Sequence, residues 1–247
     1  MGICPVNKKI LVVSHERSGT HFLIDSIALN SHLINQQIDL YIEHYLPPSE
    51  QELISYKNNL QSNIRSYFGK STNRMFKSHH DVRFFDGILG ELKKEFDILY
   101  IKRNPLDCLT SCYHYYSKHP HVDFPFSKNI DDFLFDVKPF DHLSDSAYSF
   151  KRSQNNVLRW LNHTYGWEKS GAHIVNYESL SSNFQEEIGS VFNKLKLDGP
   201  LYFQKPPLGG VAPRKGVVGD HKSLFSTDQV HRINKILKEG AVHGRAN

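Results

Sequence analysis

The sequence lacks long apolar stretches and contains few cysteines. Its longest apolar runs, such as residues 10–13, cover only a few positions, whereas a transmembrane helix needs about 20. Lys8 and Lys9 precede only four apolar residues before a polar loop, so we expect no signal peptide. Three cysteines in 247 residues indicate a reducing compartment. We therefore expect a cytoplasmic protein that does not enter a membrane.

A large excess of one charge sign is also lacking. The 30 basic and 26 acidic residues give a formal net charge of +4. This balance permits an anionic small ligand but not the dense basic stripe typical of nucleic-acid binding, so we expect no nucleic-acid partner. The 15 histidines show neither zinc-finger spacing nor paired cysteine ligands. Cys108 and Cys112 lie four positions apart on a predicted helix, where we expect buried thiols without a disulfide.

The chain contains no repeat and no Pro-, Gly- or Ser-rich linker, so residues 1–247 are predicted to form a single domain. Apolar runs predict strands at 9–14, 73–77, 97–101 and 173–175. Helical periodicity predicts helices at 21–29, 106–116, 183–195 and 227–238. This alternation predicts a three-layer α/β fold, with a central parallel sheet and helices on both faces. Residues 117–149 are aromatic and rich in aspartate, which favours an irregular lid or substrate loop.

Residues 14–22, SHERSGTHF, join the first predicted strand to the first predicted helix. Small and hydroxyl-bearing residues at such a junction place backbone N–H groups and the positive end of a helix around an anion. The lysine of the Walker pattern does not follow Gly19, and Arg17 is the nearby cation instead. The alternative is an ordinary helix cap formed by Ser18 or Thr20.

Arg103 follows another predicted strand, and Ser111 lies eight positions further along the next helix. A guanidinium fork and one hydroxyl donor can converge on a single phosphate group. The alternative is that Arg103 pairs with Asp107 at the start of this helix.

Lys77, Ser78, His79 and His80 occupy an extended segment. Successive side chains of a strand face opposite ways, so His79 shares a face with Lys77 and His80 does not. Lys77 and His79 could therefore supply charge stabilisation and a general base in one pocket. The alternative is a pair of surface histidines without a function.

Residues 214–222, RKGVVGDHK, place two adjacent cations before a glycine. Such a segment can close over an anion as a flexible clamp. The alternative is a solvated basic loop.

The order of these motifs resembles that of the cytosolic-type sulfotransferases, which use 3′-phosphoadenosine 5′-phosphosulfate (PAPS). RNPLDCLTS and RKGVVGDHK are the most specific segments, and VNYESL lies between them in the family's order. The resemblance extends from Ile10 to about Phe225. It implies the family's α/β fold with a P-loop-like phosphosulfate loop, PAPS as co-substrate, 3′-phosphoadenosine 5′-phosphate (PAP) as product, and no metal.

The resemblance also implies which residues bind PAPS and carry out the transfer. The 5′-phosphosulfate loop corresponds to Ser14, Arg17, Ser18, Gly19, Thr20, His21 and Phe22. The 3′-phosphate site corresponds to Arg103, Ser111, Arg214, Lys215 and Gly216. Tyr177 and Phe22 fall on adenine-contacting positions. Catalysis is assigned to His79, Lys77 and Arg17.

The implied reaction moves a sulfuryl group in line from PAPS to a hydroxyl or amine acceptor, with His79 as general base. The acceptor is expected to be a small molecule or a glycan. The family's dimer segment is degraded after Lys222, which favours a monomer or a weak dimer. Two alternatives from other classes remain, a nucleotide-dependent P-loop kinase and an anion- or glycan-binding module without catalytic activity.

Overall fold

The computed structural model describes residues 8–31, 38–39, 50–118, 127–136, 155–207 and 216–243. Five parallel strands form one sheet in the order β2-β3-β1-β4-β5. Their bounds are β1 Lys9–Val13, β2 Ile38–Asp39, β3 Arg74–Ser78, β4 Asp97–Lys102 and β5 His173–Asn176. β1, β3, β4 and β5 begin and end within one residue of the four strands that the apolar runs predict, whereas β2 was not predicted.

Helices connect these strands and continue beyond the last one. The described α-helices are α1 Thr20–Leu29, α2 Glu50–Arg65, α3 Leu89–Glu95, α4 Pro105–Lys118, α5 Ile130–Phe135, α6 Asn156–Lys169, α7 Tyr177–Ser182, α8 Phe184–Leu195 and α9 Thr227–His243. Two short 3-10 helices lie at Val82–Phe85 and Asp220–Ser223. None of these helices is both long and apolar enough to cross a bilayer.

Alternating strand residues divide the core into two layers, one on each face of the sheet. On one face, Ile10 and Val12 pack with the apolar residues of α1, α7 and α8. On the other face, Leu11 and Val13 pack with residues of α2 and α3 and with Trp167 of α6. The three-layer α/β prediction is therefore confirmed. A further cluster joins α4, α5, α6 and α9 beside the sheet.

The expectation for residues 117–149 was partly wrong. Within this region the structure forms helix α5, which begins with an Asn129 cap on the N–H groups of Asp131 and Asp132. Phe133 and Leu134 of α5 are fully buried against α4 and α6, so this part belongs to the core. Residues 119–126 and 137–149 lie outside the described residues.

The carboxyl ends of the parallel strands bring distant segments to one edge of the sheet. Ser14 follows β1, His79 follows β3, Arg103 follows β4 and Tyr177 follows β5. Ligands of open parallel sheets bind at this edge, where the strand order changes direction. Four of the predicted site segments therefore begin at the same edge of the sheet.

Candidate active site

The loop between β1 and α1 adopts a backbone shape that depends on Gly19. Gly19 has a φ of 97° and Arg17 a φ of 64°, both in the left-handed region. A Cβ atom on Gly19 would lie 2.4 Å from Cδ2 of Tyr177. The loop therefore needs glycine at this position for two reasons, its backbone angle and the close approach of the Tyr177 ring.

The first turn of α1 is not capped by a side chain. Its N-cap residue is Gly19, which makes no side-chain cap hydrogen bond, and the turn contains no acidic residue. The alternative of an ordinary cap by Ser18 or Thr20 is therefore wrong. The N–H groups of a helix's first turn have no partner within the helix, so this end of α1 can accept an anion.

His79 is bonded to the start of this loop. The Nδ1 atom of His79 lies 3.0 Å from the carbonyl oxygen of Ser14 and 3.0 Å from its Oγ. Ser14 Oγ in turn lies 2.6 Å from Oγ1 of Thr20. Because a carbonyl oxygen can only accept, Nδ1 carries the hydrogen and donates it to Ser14. The unprotonated nitrogen of His79 is therefore Nε2, the one that can accept a proton.

The surroundings of His79 keep its imidazole uncharged. Burial lowers the pKa of His79 to about 3, the positive charge of Lys77 contributes to the lowering, and the Glu16 carboxylate opposes it. Lys77 and His79 are both half-buried, whereas Ser78 and His80 are buried. This alternation agrees with the prediction that Lys77 and His79 share a face.

His80 belongs to the protein core. Its Nδ1 lies 2.8 Å from Ser78 Oγ, its Nε2 lies 2.7 Å from the hydroxyl of Tyr56, and its carbonyl accepts from the indole of Trp167. Only 4% of His80 is exposed. The two adjacent histidines thus have different environments, and the alternative of two surface histidines is wrong.

Arg103 joins three parts of the site. Its guanidinium donates to the carbonyl oxygens of Arg17 and Val217, at 3.2 Å each, and lies over the ring of Tyr177 at 4.6 Å. The Nε atom of Arg103 is buried without a hydrogen-bond partner. Arg103 does not pair with Asp107, so that alternative is also wrong.

Arg17 turns towards the helix that carries Ser111. Its Nε donates to Ser111 Oγ at 3.3 Å, and its guanidinium lies 4.7 Å from the ring centre of Tyr115. Arg17 and Ser111 are therefore in direct contact, and the Arg103 guanidinium contacts Arg17 through the backbone carbonyl of Arg17. The structure brings these three predicted site residues together.

Asp107 anchors the segment that follows the predicted cation pair. Its carboxylate accepts from the backbone N–H groups of Gly219 and His221 and from Nδ1 of His221, at 2.7, 3.1 and 2.6 Å. Burial raises the pKa of Asp107, but these hydrogen bonds outweigh it and hold the pKa below its ordinary value. Gly216 accepts from the hydroxyl of Tyr177 at 3.0 Å. Arg214 and Lys215 lie outside the described residues, so their place in the site stays a prediction.

Phe22 and Tyr177, the two predicted adenine contacts, are neighbours. Their ring centres are 6.1 Å apart, and both side chains belong to one core cluster with exposures of 7% and 3%. His21 is half-buried at the start of α1. A contact of any of these residues with a nucleotide stays a prediction.

A buried polar layer beneath the loop was missed by the sequence analysis. It contains His15, Glu16, Cys108, Cys112, Arg159 and His163, of which all but Arg159 are buried. Arg159, on helix α6, forms an ion pair with Oε1 of Glu16, although the two residues are 143 positions apart in the sequence. Local sequence patterns cannot predict such a distant pair. The two cysteines one turn apart on a predicted helix could have indicated a buried cluster of this kind.

The charges in this layer depend on one another. Burial lowers the pKa of His15, but Glu16 and Cys108 raise it above the ordinary value. Burial raises the pKa of the Cys108 thiol, while the hydrogen bond from Cys112 and the charge on His15 hold it well below the ordinary value. Both cysteines are free thiols, in agreement with the expectation that they form no disulfide.

The fold and this edge of the sheet define an α/β protein in which a loop joins a central strand to a helix whose first turn has no side-chain cap. The model of the sulfotransferase domain matches residues 7–199. The chain therefore belongs to the sulfotransferase domain family, as its motifs indicate. No curated protein sequence matches the chain.

Solved structures with the same fold support this assignment. Mouse sulfotransferase SULT7A1, complexed with PAP, is 19% identical with a TM-score of 0.61, covering 95% of this chain and 84% of that one. Retinol dehydratase in complex with androsterone and PAP is 14% identical with a TM-score of 0.54, covering 97% and 82%. A sulfotransferase from Alicyclobacillus acidocaldarius is 12% identical with a TM-score of 0.50, covering 96% and 93%. At these identities the likeness shows the fold.

Proposed function

We propose that this sulfotransferase transfers the sulfuryl group of PAPS to a hydroxyl or amine acceptor, with His79 as the general base. The observation that carries the proposal is the hydrogen bond from His79 Nδ1 to the Ser14 carbonyl, 3.0 Å long. It joins the catalytic histidine to the phosphosulfate loop itself. PAP in two of the similar solved structures supports the choice of PAPS as co-substrate.

PAPS binds across the edge of the sheet with its two charged ends on different segments. The 5′-phosphosulfate lies at the first turn of α1, against Ser18, Gly19 and Thr20, because this helix end has no side-chain cap. The 3′-phosphate lies beside Arg103 and Ser111, which are joined through Arg17. Arg214, Lys215 and Gly216 close over this phosphate, with Gly216 tied to Tyr177.

In the transfer, the acceptor oxygen or nitrogen attacks sulfur in line as the bond between sulfur and the 5′-phosphate oxygen breaks. The proton of the acceptor passes to His79 Nε2, which is unprotonated because Nδ1 donates to Ser14. The products are the sulfated acceptor and PAP.

Negative charge gathers on the departing 5′-phosphate as the bond breaks. Lys77 lies on the same face as His79, and Arg17 lies in the loop, so both side chains can neutralise this charge. Positioned cations of this kind supply most of the rate enhancement in related group transfers. The transfer step therefore uses side-chain cations where a kinase uses Mg²⁺.

The acceptor is a small molecule in this proposal, supported by the retinol and androsterone complexes of retinol dehydratase. A glycan acceptor remains the alternative. We propose a cytoplasmic location, without nucleic-acid or membrane partners, because two buried thiols remain free. We expect a monomer or weak dimer.

The histidine pair offers a matched test. With radiolabelled PAPS and a mixture of simple phenols, alcohols and amines, His79→Ala should lower turnover by about 10²- to 10⁴-fold, with PAP affinity nearly intact. His80→Ala removes the same ring at the adjacent position. It should lower the free energy of unfolding, because His80 forms hydrogen bonds with Ser78 and Tyr56, but the folded variant should stay active. Full activity of His79→Ala would contradict the assignment of the base.

Ligand binding separates the proposal from its two rivals. PAP should raise the melting temperature without Mg²⁺, whereas ATP and GTP should not. A kinase would instead show Mg²⁺-dependent stabilisation by a nucleoside triphosphate. A binding module would bind PAP but form no sulfated product from any acceptor in the mixture.

A further inference from the structure

His15, Cys108 and Cys112 form a cluster of metal-ligating side chains beneath the phosphosulfate loop. His15 lies in the loop after β1, and the two cysteines lie one turn apart on α4. One nitrogen and two sulfur atoms of these residues all lie within 4.8 Å of one another. The three residues are almost fully buried, with exposures of 2%, 0% and 2%.

A fourth ligand atom is in place. The carbonyl oxygen of Glu16 lies 3.1 Å from His15 Nδ1, 3.2 Å from Cys108 Sγ and 3.7 Å from Cys112 Sγ. His15 Nδ1 lies 3.5 Å from Cys108 Sγ. In tetrahedral zinc centres, the usual bond lengths place neighbouring ligand atoms roughly 3.4–3.8 Å apart. Four of the six separations among these atoms therefore lie between 3.1 and 3.7 Å, close to those around a bound ion, and the nitrogen and the two sulfur atoms all lie within 4.8 Å of one another.

We propose that His15 Nδ1, Cys108 Sγ, Cys112 Sγ and the Glu16 carbonyl oxygen bind one tetrahedral divalent cation of the zinc class. Two sulfur ligands and one imidazole favour such an ion over Mg²⁺ or Ca²⁺, which prefer oxygen. This site is separate from the transfer chemistry, since none of its three side chains is among the predicted PAPS ligands.

The net charge of the cluster is compatible with this ion. Binding needs a neutral imidazole and two thiolates, so the three side chains together release two protons as one divalent cation enters, which leaves the net charge of the buried layer unchanged. Oε1 of the Glu16 carboxylate pairs with Arg159, and Oε2 lies 3.3 Å from His15 Nδ1, so the charge of this carboxylate is compensated by Arg159 and lies next to the proposed ion. The cation therefore enters without leaving an uncompensated charge in the interior, which would be costly.

The position of the cluster gives the ion a structural role. It would join the loop at His15 and Glu16 to helix α4, directly before Arg17, and Cys108 also contacts Ser18 at 3.6 Å. The ion would thus hold the phosphosulfate loop against the helix that carries Ser111. Because the site is buried, we expect the metal to be taken up during folding.

Metal analysis and Co²⁺ substitution test the proposal directly. The protein purified without chelators should contain stoichiometric zinc, and refolding with Co²⁺ should produce thiolate-to-cobalt charge-transfer bands and the intense visible bands of tetrahedral cobalt. Cys112→Ser and Cys112→Val should each lose at least about 100-fold in Co²⁺ affinity, since even partners of metal ligands are worth 10- to 100-fold. Cys4→Ser, which removes the one thiol that the proposal does not use, should bind Co²⁺ like the unchanged protein.

Several results would overturn the proposal. One is unchanged protein that is folded, as shown by circular dichroism, but contains no zinc and gives no cobalt bands. Another is a Cys108–Cys112 disulfide in the native protein. A third is equal loss of Co²⁺ binding in Cys4→Ser and Cys112→Val. The measurement on the unchanged protein does not depend on whether any variant folds.

Discussion

Replacing Gly19 by alanine tests the contact between the phosphosulfate loop and Tyr177. The substitution imposes two costs, because Gly19 has a φ of 97° and a Cβ atom would lie 2.4 and 2.7 Å from two ring carbons of Tyr177. A left-handed backbone costs a non-glycine residue about 1–2 kcal/mol. Overpacking of a buried contact adds about 1–3 kcal/mol. Gly19→Ala should therefore lower the free energy of unfolding by roughly 2–5 kcal/mol.

Gly87 provides a matched control for the backbone cost. Its φ is 86°, and a Cβ atom there would meet nothing within 4 Å. Gly87→Ala should therefore cost only the backbone part, about 1–2 kcal/mol. Urea unfolding of both variants gives the two free energies, provided that the dependence on urea stays the same.

The same pair of variants also separates stability from ligand binding. Moving the Tyr177 ring would disturb its hydrogen bond to Gly216 and its contact with Arg103, so Gly19→Ala should weaken PAP binding and Gly87→Ala should not. Calorimetric titration with PAP measures this difference. Equal losses of stability in the two variants, with equal PAP affinity, would refute the packing of Tyr177 against Gly19.

Two further predictions concern Arg103 and His79. Arg103→Ala should lower the affinity for PAP by about 10- to 150-fold, because a hydrogen bond to a charged group contributes roughly 1.5–3 kcal/mol. The weak binding of adenosine 5′-phosphosulfate, which has no 3′-phosphate, should change much less. Equal losses for both ligands in calorimetric titrations would mean that Arg103 does not hold the 3′-phosphate. The ring resonances of His79, assigned by comparison with His79→Ala, should not titrate between pH 8 and 5, because burial lowers its pKa to about 3. Since the unfolded chain takes up this proton near pH 6.5, His79 should also lower stability as the pH falls below that value. An NMR midpoint near 6.5 would contradict a neutral imidazole at this half-buried position.

Local sequence patterns predicted the structure of a segment correctly where that structure depends on neighbouring residues. The apolar run of β1 and the alternation after Lys77 depend only on neighbouring residues, so they correctly predicted a central strand and the opposite environments of His79 and His80. Helix α2 was missed because its sequence, EQELISYKNNLQSNIR, has few apolar residues. It is held by tertiary contacts of Leu60 and Ile64 with the core, which a polar sequence does not reveal.

The missed parts of the site depend on contacts between distant segments. Whether Asp107 pairs with Arg103 or with His221 cannot be decided from spacing, because both arrangements suit the start of a helix. The structure selects His221, because the chain returns there with three donors to Asp107: the backbone N–H groups of Gly219 and His221 and the Nδ1 atom of His221. Arg17 likewise has a φ of 64°, which no local pattern predicts for an arginine, and its side chain contacts Ser111, 94 positions away.

The central place of β1 in the sheet has a consequence for the synthesis of the protein. Ile10 pairs with Met75 on one side and with Asp97 on the other, so β1 leaves the ribosome well before either of its partner strands. Until β3 and β4 have followed, residues 10–13, all without exposed surface in the folded protein, form an apolar segment that lacks one or both of its partners. Parallel pairings across such separations form slowly and leave strand edges open to other chains. Nascent chains stalled before β4 should therefore be the species most prone to aggregate and to recruit chaperones.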